Sequence, residues 1–236
     1  MTHAPPPHLS AHRIPSLPPT IYYIPNFLPP DDEAILLAHI AASPPHHWIQ
    51  LAHRRLQAHP AALTRTNALL AAAPLPAWLA APVLPRLAAL ALFADSPHAA
   101  PNHCLLNEYR PGQGILPHED GPAYHPVVAT VSLGGTVVLD VADKPPRTRA
   151  WRIVQEPRSL LVTAGSAYVD MLHGIAATGA DVGLGPGTVA NWGQLGDAGA
   201  LERAGGRSER GLRVSLTFRD VVKTVAGERI FGRARG

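Results

Sequence analysis

Residues 107–121 read NEYRPGQGILPHEDG, and the rest of the chain is best interpreted outward from this stretch. An apolar run ends at Tyr109, a turn-rich segment follows, and His118-Glu119-Asp120 comes near the end. Because His118 and Asp120 are two residues apart, both side chains lie on one face of an extended segment. Taken alone, the pair is also what a polar surface loop contains, because so short a pattern occurs by chance.

Two strand-like runs further along the chain add to this pair. His173 lies in LHGIA, 53 residues after Asp120, and Arg213 follows 40 residues later in RVSLTFR, the run that ends at Arg219. Taken singly, His173 fits a structural histidine and each arginine fits a surface ion pair. Together, two imidazoles and a carboxylate can bind one face of an iron ion, and an arginine can hold a carboxylate ligand. The joint pattern predicts an Fe(II)-dependent oxygenase with a dicarboxylate cosubstrate.

Composition sets broad limits on the class of protein. The 236 residues suffice for one sizeable core, and no uninterrupted apolar run approaches the ~18 residues of a membrane span. Cys104 is the only cysteine, which excludes an internal disulfide and favours the cytoplasm and nucleus. The formal charge of +3 is compatible with an anionic partner such as nucleic acid, but it is too small to identify one. We expect a monomer.

The element pattern predicts an α+β, mainly β protein: a double-stranded β-helix, or jelly roll, braced by N-terminal helices. Short runs of β-branched residues separated by Gly and Pro predict strands from residue 103 onward. Upstream, residues 21–24 predict a strand. A helix is expected from Pro29 to about Ala42, with Ile35, Leu36 and Ile40 buried, and a further helical segment over residues 75–93.

Three segments are expected to lie outside this core. Residues 1–20 hold six prolines and predict a disordered or extended leader before a single domain over 21–220. Residues 176–210 hold nine glycines and predict a mobile insertion, with Asn191, Trp192 and Leu195 as its possible docking points. Residues 221–236 predict a basic tail.

Residues 48–57 combine Trp48 with Arg54 and Arg55, and two interpretations stay open for them. One is a solvated edge strand, because charges commonly protect sheet edges. The other is a loop that contacts nucleic acid, because arginines bind phosphates and aromatic rings stack on bases. The second interpretation makes Trp48, Arg54 and Arg55 candidate substrate residues.

Several segments carry a resemblance to a known family: PNHCLLNEYRPGQGILPHEDGPAYHP, SLG, EPRSLLV, LHGIA and RVSLTFR. The chain resembles the AlkB-type Fe(II)/2-oxoglutarate-dependent dioxygenases over roughly residues 20–220, with HEDG and HGIA most similar to the branch of AlkB homologue six. The resemblance implies iron ligation by His118, Asp120 and His173. It also implies 2-oxoglutarate binding by five further residues: Asn107, Tyr109, Arg213, Ser215 and Arg219. Ser215 stands where many members have asparagine.

Three functions remain open on these grounds. The resemblance implies oxidative N-demethylation of alkylated nucleic acid bases, with DNA and RNA undistinguished. The same iron centre would also serve a hydroxylase or demethylase of a protein or small molecule. A jelly-roll module that only binds is the third, and it predicts no turnover of 2-oxoglutarate.

Overall fold

Two antiparallel sheets form the centre of the protein. The computed structural model describes residues 7–70, 73–146 and 148–225. Its strands are β1 (Ile21–Ile24), β2 (Ile49–Leu51), β3 (Arg54–His59), β4 (Leu69–Leu70), β5 (His103–Tyr109), β6 (Ile115–His118), β7 (Tyr124–Gly134), β8 (Val137–Asp143), β9 (Ala150–Gln155), β10 (Leu160–Ala164), β11 (Met171–Ile175), β12 (Ala180–Asp181), β13 (Ser208–Glu209), β14 (Arg213–Val221) and β15 (Thr224–Val225). Its helices are α1 (Pro7–Ser10), α2 (Pro30–Ala41), α3 (Ala77–Ala80), α4 (Leu84–Ala89), α5 (Gly165–Asp170) and α6 (Ala198–Arg203).

The order of the strands gives the predicted jelly roll. The major sheet runs β1-β10-β7-β14-β5-β3-β2, and the minor sheet runs β6-β11-β8-β9. Tyr23 and Leu161 of the major sheet share a core with Val141, Ile153 and Ile175 of the minor sheet. Because both sheets bury one face in this shared core, they form the two layers of a mainly β fold, and the prediction of fold class is confirmed.

β14 shows how the major sheet is covered on both sides. It lies between β7 and β5, and every residue from Arg213 to Val221 is buried. Val214, Leu216 and Phe218 pack into the core formed with the helices, whereas Arg213, Ser215 and Thr217 face the opposite layer. The alternation of a strand therefore places its polar residues on the side of the minor sheet.

Helices cover the outer face of the major sheet. Leu36 and Ile40 of α2 are buried there with Leu79 of α3 and Leu87 of α4. Ile35 was expected in the same buried stripe, but it is 53% exposed, because one turn of helix directs Leu36 and Ile40 inward and Ile35 to the side. In the described ranges, no helix is long and apolar enough to cross a membrane.

The predicted leader is packed where the structure describes it. Leu9, Ile14 and Leu17 are each at most 5% exposed, and Arg13 forms an isolated β-bridge with Tyr22. The expectation that residues 1–20 are disordered or extended is therefore wrong for residues 7–20. Residues 1–6 lie outside the described residues, as do residues 226–236 of the predicted tail. The start of that tail is ordered as β15, which pairs with β4.

Residues 176–210 are also packed, which corrects the prediction of a mobile insertion. Leu184 and Val189 form a small core with Val138 and Val154 on the outer face of the minor sheet. Asn191 binds both backbone groups of Val154, at 3.0 and 2.8 Å. The count of glycines was misleading, because a few buried contacts hold the segment against the sheet.

A buried ion pair fixes the two ends of that segment. Arg210 donates two hydrogen bonds to Asp181, at 2.8 and 2.7 Å, and a third to the carbonyl of Ala176. Both charged side chains are 5% exposed. Asp181 also accepts from the backbone N–H of Val138, so the pair ties residues 176–210 directly to β8.

Candidate active site

A cavity of about 280 Å³ lies between the two sheets. Its wall contains most of the residues that the sequence singled out, namely Asn107, Tyr109, His118, Asp120, His173, Arg213, Ser215 and Arg219. Apolar side chains complete the wall, among them Leu139, Leu161 and Ile175. The eight candidates are far apart in the sequence, over residues 107–219. They come together only because the two sheets pack against each other.

The two candidate histidines come from neighbouring strands of the minor sheet. His118 of β6 and His173 of β11 are direct partners in the antiparallel register, and their ring centroids are 4.4 Å apart. Gly174 permits this close approach, because a Cβ atom there would lie 3.0 Å from the backbone nitrogen of Pro117. The glycine of the LHGIA run therefore has a packing role beside the histidine.

Each histidine is in a form that suits a metal ion. The Nδ1 atom of His118 lies 2.8 Å from the carbonyl oxygen of Leu116. A carbonyl only accepts, so Nδ1 carries a proton and Nε2 is the ring nitrogen left to face a metal ion. Burial lowers the pKa of His173 to about 4, so that this ring is neutral near pH 7.

Asp120 is paired with a protein cation. Its carboxylate accepts a short hydrogen bond from Arg219 of β14, and the two side chains are 10% and 7% exposed. Over residues 7–70, 73–146 and 148–225, no three His, Cys, Asp or Glu side chains are grouped so as to hold a metal ion. The structure thus places Asp120 in the same cavity as the two histidines, with its carboxylate directed to Arg219.

The donor set nevertheless fits a ferrous ion. Two imidazoles and one carboxylate on a cavity wall are the ligand types that Fe(II) takes when other positions stay open. Arg219 has a buried Nε without a hydrogen-bond partner in the described part of the chain, and its guanidinium also lies 4.8 Å from the ring of Tyr124. A bound cation would take over the part of Arg219 in neutralising Asp120.

Arg213 forms a second charged feature of the cavity, and its partners are neutral. Its guanidinium donates to the hydroxyl of Ser132 at 2.9 Å and to Oε1 of Gln155 at 2.8 Å. Burial lowers the pKa of Arg213 to about 10, so the side chain stays charged at neutral pH. Among the described residues, no carboxylate forms an ion pair with it, and its Nε has no partner. A buried cation held only by neutral groups favours binding of an anion.

Register explains why the other predicted cosubstrate residues lie beside Arg213. Tyr109 of β5 is the cross-strand partner of Arg213, and Asn107 is the partner of Ser215. Residues two apart on a strand share a face, so these four side chains form one patch on the cavity wall. Burial raises the pKa of the Tyr109 hydroxyl, and the charge of Arg213 opposes that rise.

Sequence reasoning missed Ser132 and Gln155. Both are buried, and Ser132 donates to Gln155 at 2.8 Å, so they orient Arg213 as a connected network. A signal for Gln155 was available in AWRIVQ, residues 150–155. Ile153 faces the core, and two residues later the same face carries an amide that needs a hydrogen-bond partner.

The three candidate substrate residues separate into two groups. Arg55 forms a bidentate ion pair with the buried Glu108, with both distances 2.7 Å, and its guanidinium lies 3.8 Å from the ring of Trp48. Neither Trp48 nor Arg55 lines the cavity. Arg54 points the other way, lines the cavity, and donates from Nε to Asn107 Oδ1 at 3.1 Å. The edge-strand interpretation of residues 48–57 is confirmed for β2, the last strand of the major sheet, whereas Arg54 and Arg55 lie on β3, which pairs with both β2 and β5.

An open groove adjoins the cavity at Arg54. The groove has a volume of about 810 Å³ and runs past the β2–β3 turn, Leu116 and His118. Leu116 is 84% exposed at this position. Arg54 and His118 line both spaces, so the groove leads to the candidate metal ligands.

Comparisons with known proteins agree with this geometry. The 2OG-Fe(II) oxygenase superfamily matches residues 20–219. The probable RNA/DNA demethylase ALKBH6 of Danio rerio is 35% identical in an alignment 236 positions long, which covers 95% of this chain and 95% of that one. The alkbh8 tRNA (carboxymethyluridine(34)-5-O)-methyltransferase of Xenopus tropicalis is 34% identical over 127 residues, 51% of this chain and 18% of that protein. The solved structure of OsALKBH1 has the same fold, with a TM-score of 0.54 at 19% identity over 86% of this chain and 99% of that one.

Proposed function

Because the chain belongs to the 2OG-Fe(II) oxygenase superfamily, we propose that it oxidatively demethylates nitrogen atoms of alkylated nucleic acid bases. The superfamily uses Fe(II) and 2-oxoglutarate, and the chain is an oxidoreductase of that class. The choice of substrate is supported by the similarity, over 95% of both chains, to a probable RNA/DNA demethylase. The names of two similar proteins, a probable RNA/DNA demethylase and a tRNA methyltransferase, both refer to nucleic acids, and the proposal includes both DNA and RNA.

The proposal gives each group of the reaction a place in the cavity. In the proposal, His118, Asp120 and His173 hold the ferrous ion, and Arg213 binds the distal carboxylate of 2-oxoglutarate. One observation supports this assignment. The neighbouring rings of His118 and His173 line the same cavity as Arg213, a buried cation with no carboxylate partner among the described residues. When bound, the ion would let dioxygen oxidise both 2-oxoglutarate, to succinate and carbon dioxide, and an N-methyl carbon, which then leaves as formaldehyde.

The remaining residues bind, orient and exclude water. Ser132 and Gln155 fix the Arg213 guanidinium, which would otherwise have several side-chain conformations. Leu139, Leu161 and Ile175 keep the wall apolar, which strengthens the charge interactions inside. A base within a duplex has to leave the stack to reach a cavity between two sheets, so single strands and flipped-out bases are the expected substrates.

A second function is favoured by one observation. The groove beside His118 is lined mainly by apolar groups, including Leu51, Ile115 and Leu116. Arg55, which was a candidate for phosphate contact, is already neutralised by Glu108. An apolar approach to the metal site also suits a peptide or a small molecule, so a hydroxylase or demethylase of such a substrate is the alternative.

A substrate panel distinguishes the two functions. Methylated oligonucleotides of DNA and RNA, and methylated peptides, are incubated with protein, Fe(II) and 2-oxoglutarate, and succinate and formaldehyde are both measured. The proposal expects equal amounts of the two products with a methylated oligonucleotide and no formaldehyde with its unmethylated copy. Formaldehyde from peptides alone would support the alternative, and absence of both products with every substrate would overturn the assignment of activity.

A further inference from the structure

Arg54, the first residue of β3, reaches the cavity wall, and its contact there is with a neutral amide. Leu51 at the end of β2 and the turn residues Ala52 and His53 line the groove but not the cavity, whereas Arg54 lines both. Its Nε lies 3.1 Å from Asn107 Oδ1, across the ladder in which Arg55 pairs with Glu108. The side chain therefore crosses from the edge hairpin to the patch around Arg213.

The chemistry of this contact determines the orientation of the Asn107 amide. Guanidinium nitrogens only donate, so the amide atom that faces Arg54 has to be the oxygen. The opposite edge of the planar amide, its NH₂ group, is then left as a donor for the cavity that Asn107 lines. With the amide reversed, the oxygen would face the cavity and the NH₂ group would oppose a cation.

A donor is what the cosubstrate needs at this position. At neutral pH 2-oxoglutarate presents two carboxylates and a keto oxygen, all of which accept hydrogen bonds. Asn107 is the cross-strand partner of Ser215, two residues before the partner of Arg213 on the same strand. Its amide thus belongs to the patch in which the proposed function places the anion.

We propose that Arg54 is a positioning residue for 2-oxoglutarate, which it serves by holding the Asn107 amide with its NH₂ group toward the cavity. This inference rests on the placement of 2-oxoglutarate beside Arg213 in the proposed function. Arg54 acts through Asn107 and does not itself bind the cosubstrate. The same residue connects the groove to the cosubstrate site, so the edge hairpin takes part in forming that site.

A double-mutant cycle tests the indirect role. Isothermal titration calorimetry measures binding of 2-oxoglutarate to the anaerobic, Fe(II)-loaded protein and to Arg54→Ala, Asn107→Ala and the double variant. Loss of one hydrogen bond to a charged ligand predicts about tenfold weaker binding for each single variant. If Arg54 acts through Asn107, the double variant binds no more weakly than Asn107→Ala.

Three results would count against the proposal or locate its error. Additive losses in the double variant would show that Arg54 contacts the ligand directly, and unchanged affinity in Arg54→Ala would show that it has no role; either overturns the inference. Unchanged affinity in Arg213→Ala would instead overturn the placement of 2-oxoglutarate. Arg65→Ala, an exposed arginine outside the cavity wall, controls for net charge. Arg54→Met, which keeps the aliphatic stem, replaces Arg54→Ala if that variant fails to fold.

Discussion

The two ends of the cavity differ in how their charges are balanced before any ligand binds. At the anion end, formed by Arg213 with Ser132 and Gln155, a buried cation is held by neutral groups. At the metal end, formed by His118, Asp120 and His173, the one carboxylate is paired with Arg219. In the proposed function, the anion end already presents a cation that has no carboxylate partner, whereas Asp120 at the metal end would exchange Arg219 for a bound cation.

The two ends are also supported by different parts of the fold. Arg213 lies on β14, inside the major sheet, with a hydrogen-bonded strand on each side. His173 lies on β11 of the minor sheet, next to β8, and β8 is tied to residues 176–210 through Asp181. The neighbouring strands β5 and β7 therefore hold the anion end in place, whereas the metal end also depends on residues 176–210, which pack on the outer face of the minor sheet.

The largest effect is expected from removing the carboxylate of the metal end. Asp120→Ala should lower Fe(II)-dependent succinate production roughly 100-fold or more, since even residues that only support metal ligands cost 10- to 100-fold in affinity or activity. Glu119→Gln is the matched control, because Glu119 is an exposed neighbour paired with Lys144. It should retain most of the activity. Full activity in Asp120→Ala, measured as succinate, would remove Asp120 from the metal end.

The next effect tests the support of the metal end. Asp181→Ala leaves Arg210 buried without its partner and should lower the free energy of unfolding by about 3 kcal/mol in urea denaturation. Fe(II) affinity should fall more than 2-oxoglutarate affinity, because β8 adjoins β11. The double variant Asp181→Leu, Arg210→Met should recover much of the stability. A change below about 0.5 kcal/mol, typical of an exposed site, would mean that this segment does not support the sheet.

A smaller effect is expected from supplying the anion end with its own carboxylate. Gln155→Glu keeps the shape of the side chain but places a negative charge against Arg213, so 2-oxoglutarate should bind about tenfold more weakly. Calorimetry with the Fe(II)-loaded protein measures this. Gln113→Glu adds the same charge in the loop after β5, keeps an acceptor for the Arg110 amide, and should leave affinity unchanged. If both variants bind 2-oxoglutarate with the same affinity, the neutral partners of Arg213 are not the reason that it binds an anion.

The smallest effect separates Arg55 from Arg54. Arg55→Ala leaves Glu108, which is 4% exposed, without its ion pair, but Arg55 itself is 31% exposed and partly screened. We expect a loss of about 1–2 kcal/mol in the free energy of unfolding and no change in 2-oxoglutarate affinity. Thermal denaturation and calorimetry of the same sample measure the two quantities. Weakened 2-oxoglutarate binding in Arg55→Ala would mean that the whole hairpin, and not Arg54 alone, forms the anion end.

Strand pattern carried much of the fold and the candidate site. Strands were predicted from residue 103 onward with an apolar run ending at Tyr109, and β5 (His103–Tyr109) has these two limits, because nearly every residue of the run is buried in the sheet. Even spacing between His118 and Asp120 predicted that both side chains lie on one side of an extended segment, and the cavity wall contains both. Glycine and proline content gave wrong predictions for two segments that a few buried contacts hold in place. Leu184 in residues 176–210 and Ile14 in residues 1–20 are both buried.

The sequence by itself determined the chemical groups of the candidate site and their spacing along the strands. These groups are two imidazoles, a carboxylate, and two arginines, Arg213 and Arg219, separated by an even number of positions. Local periodicity encodes which face of a strand a side chain occupies. Only the tertiary structure decided that Gln155 would hold Arg213, that Arg219 would hold Asp120, and that Arg54 would turn inward while Arg55 turned to Glu108. These pairings join residues 53 to 99 positions apart, and their partners are chosen by the packing of two sheets, which no local pattern records.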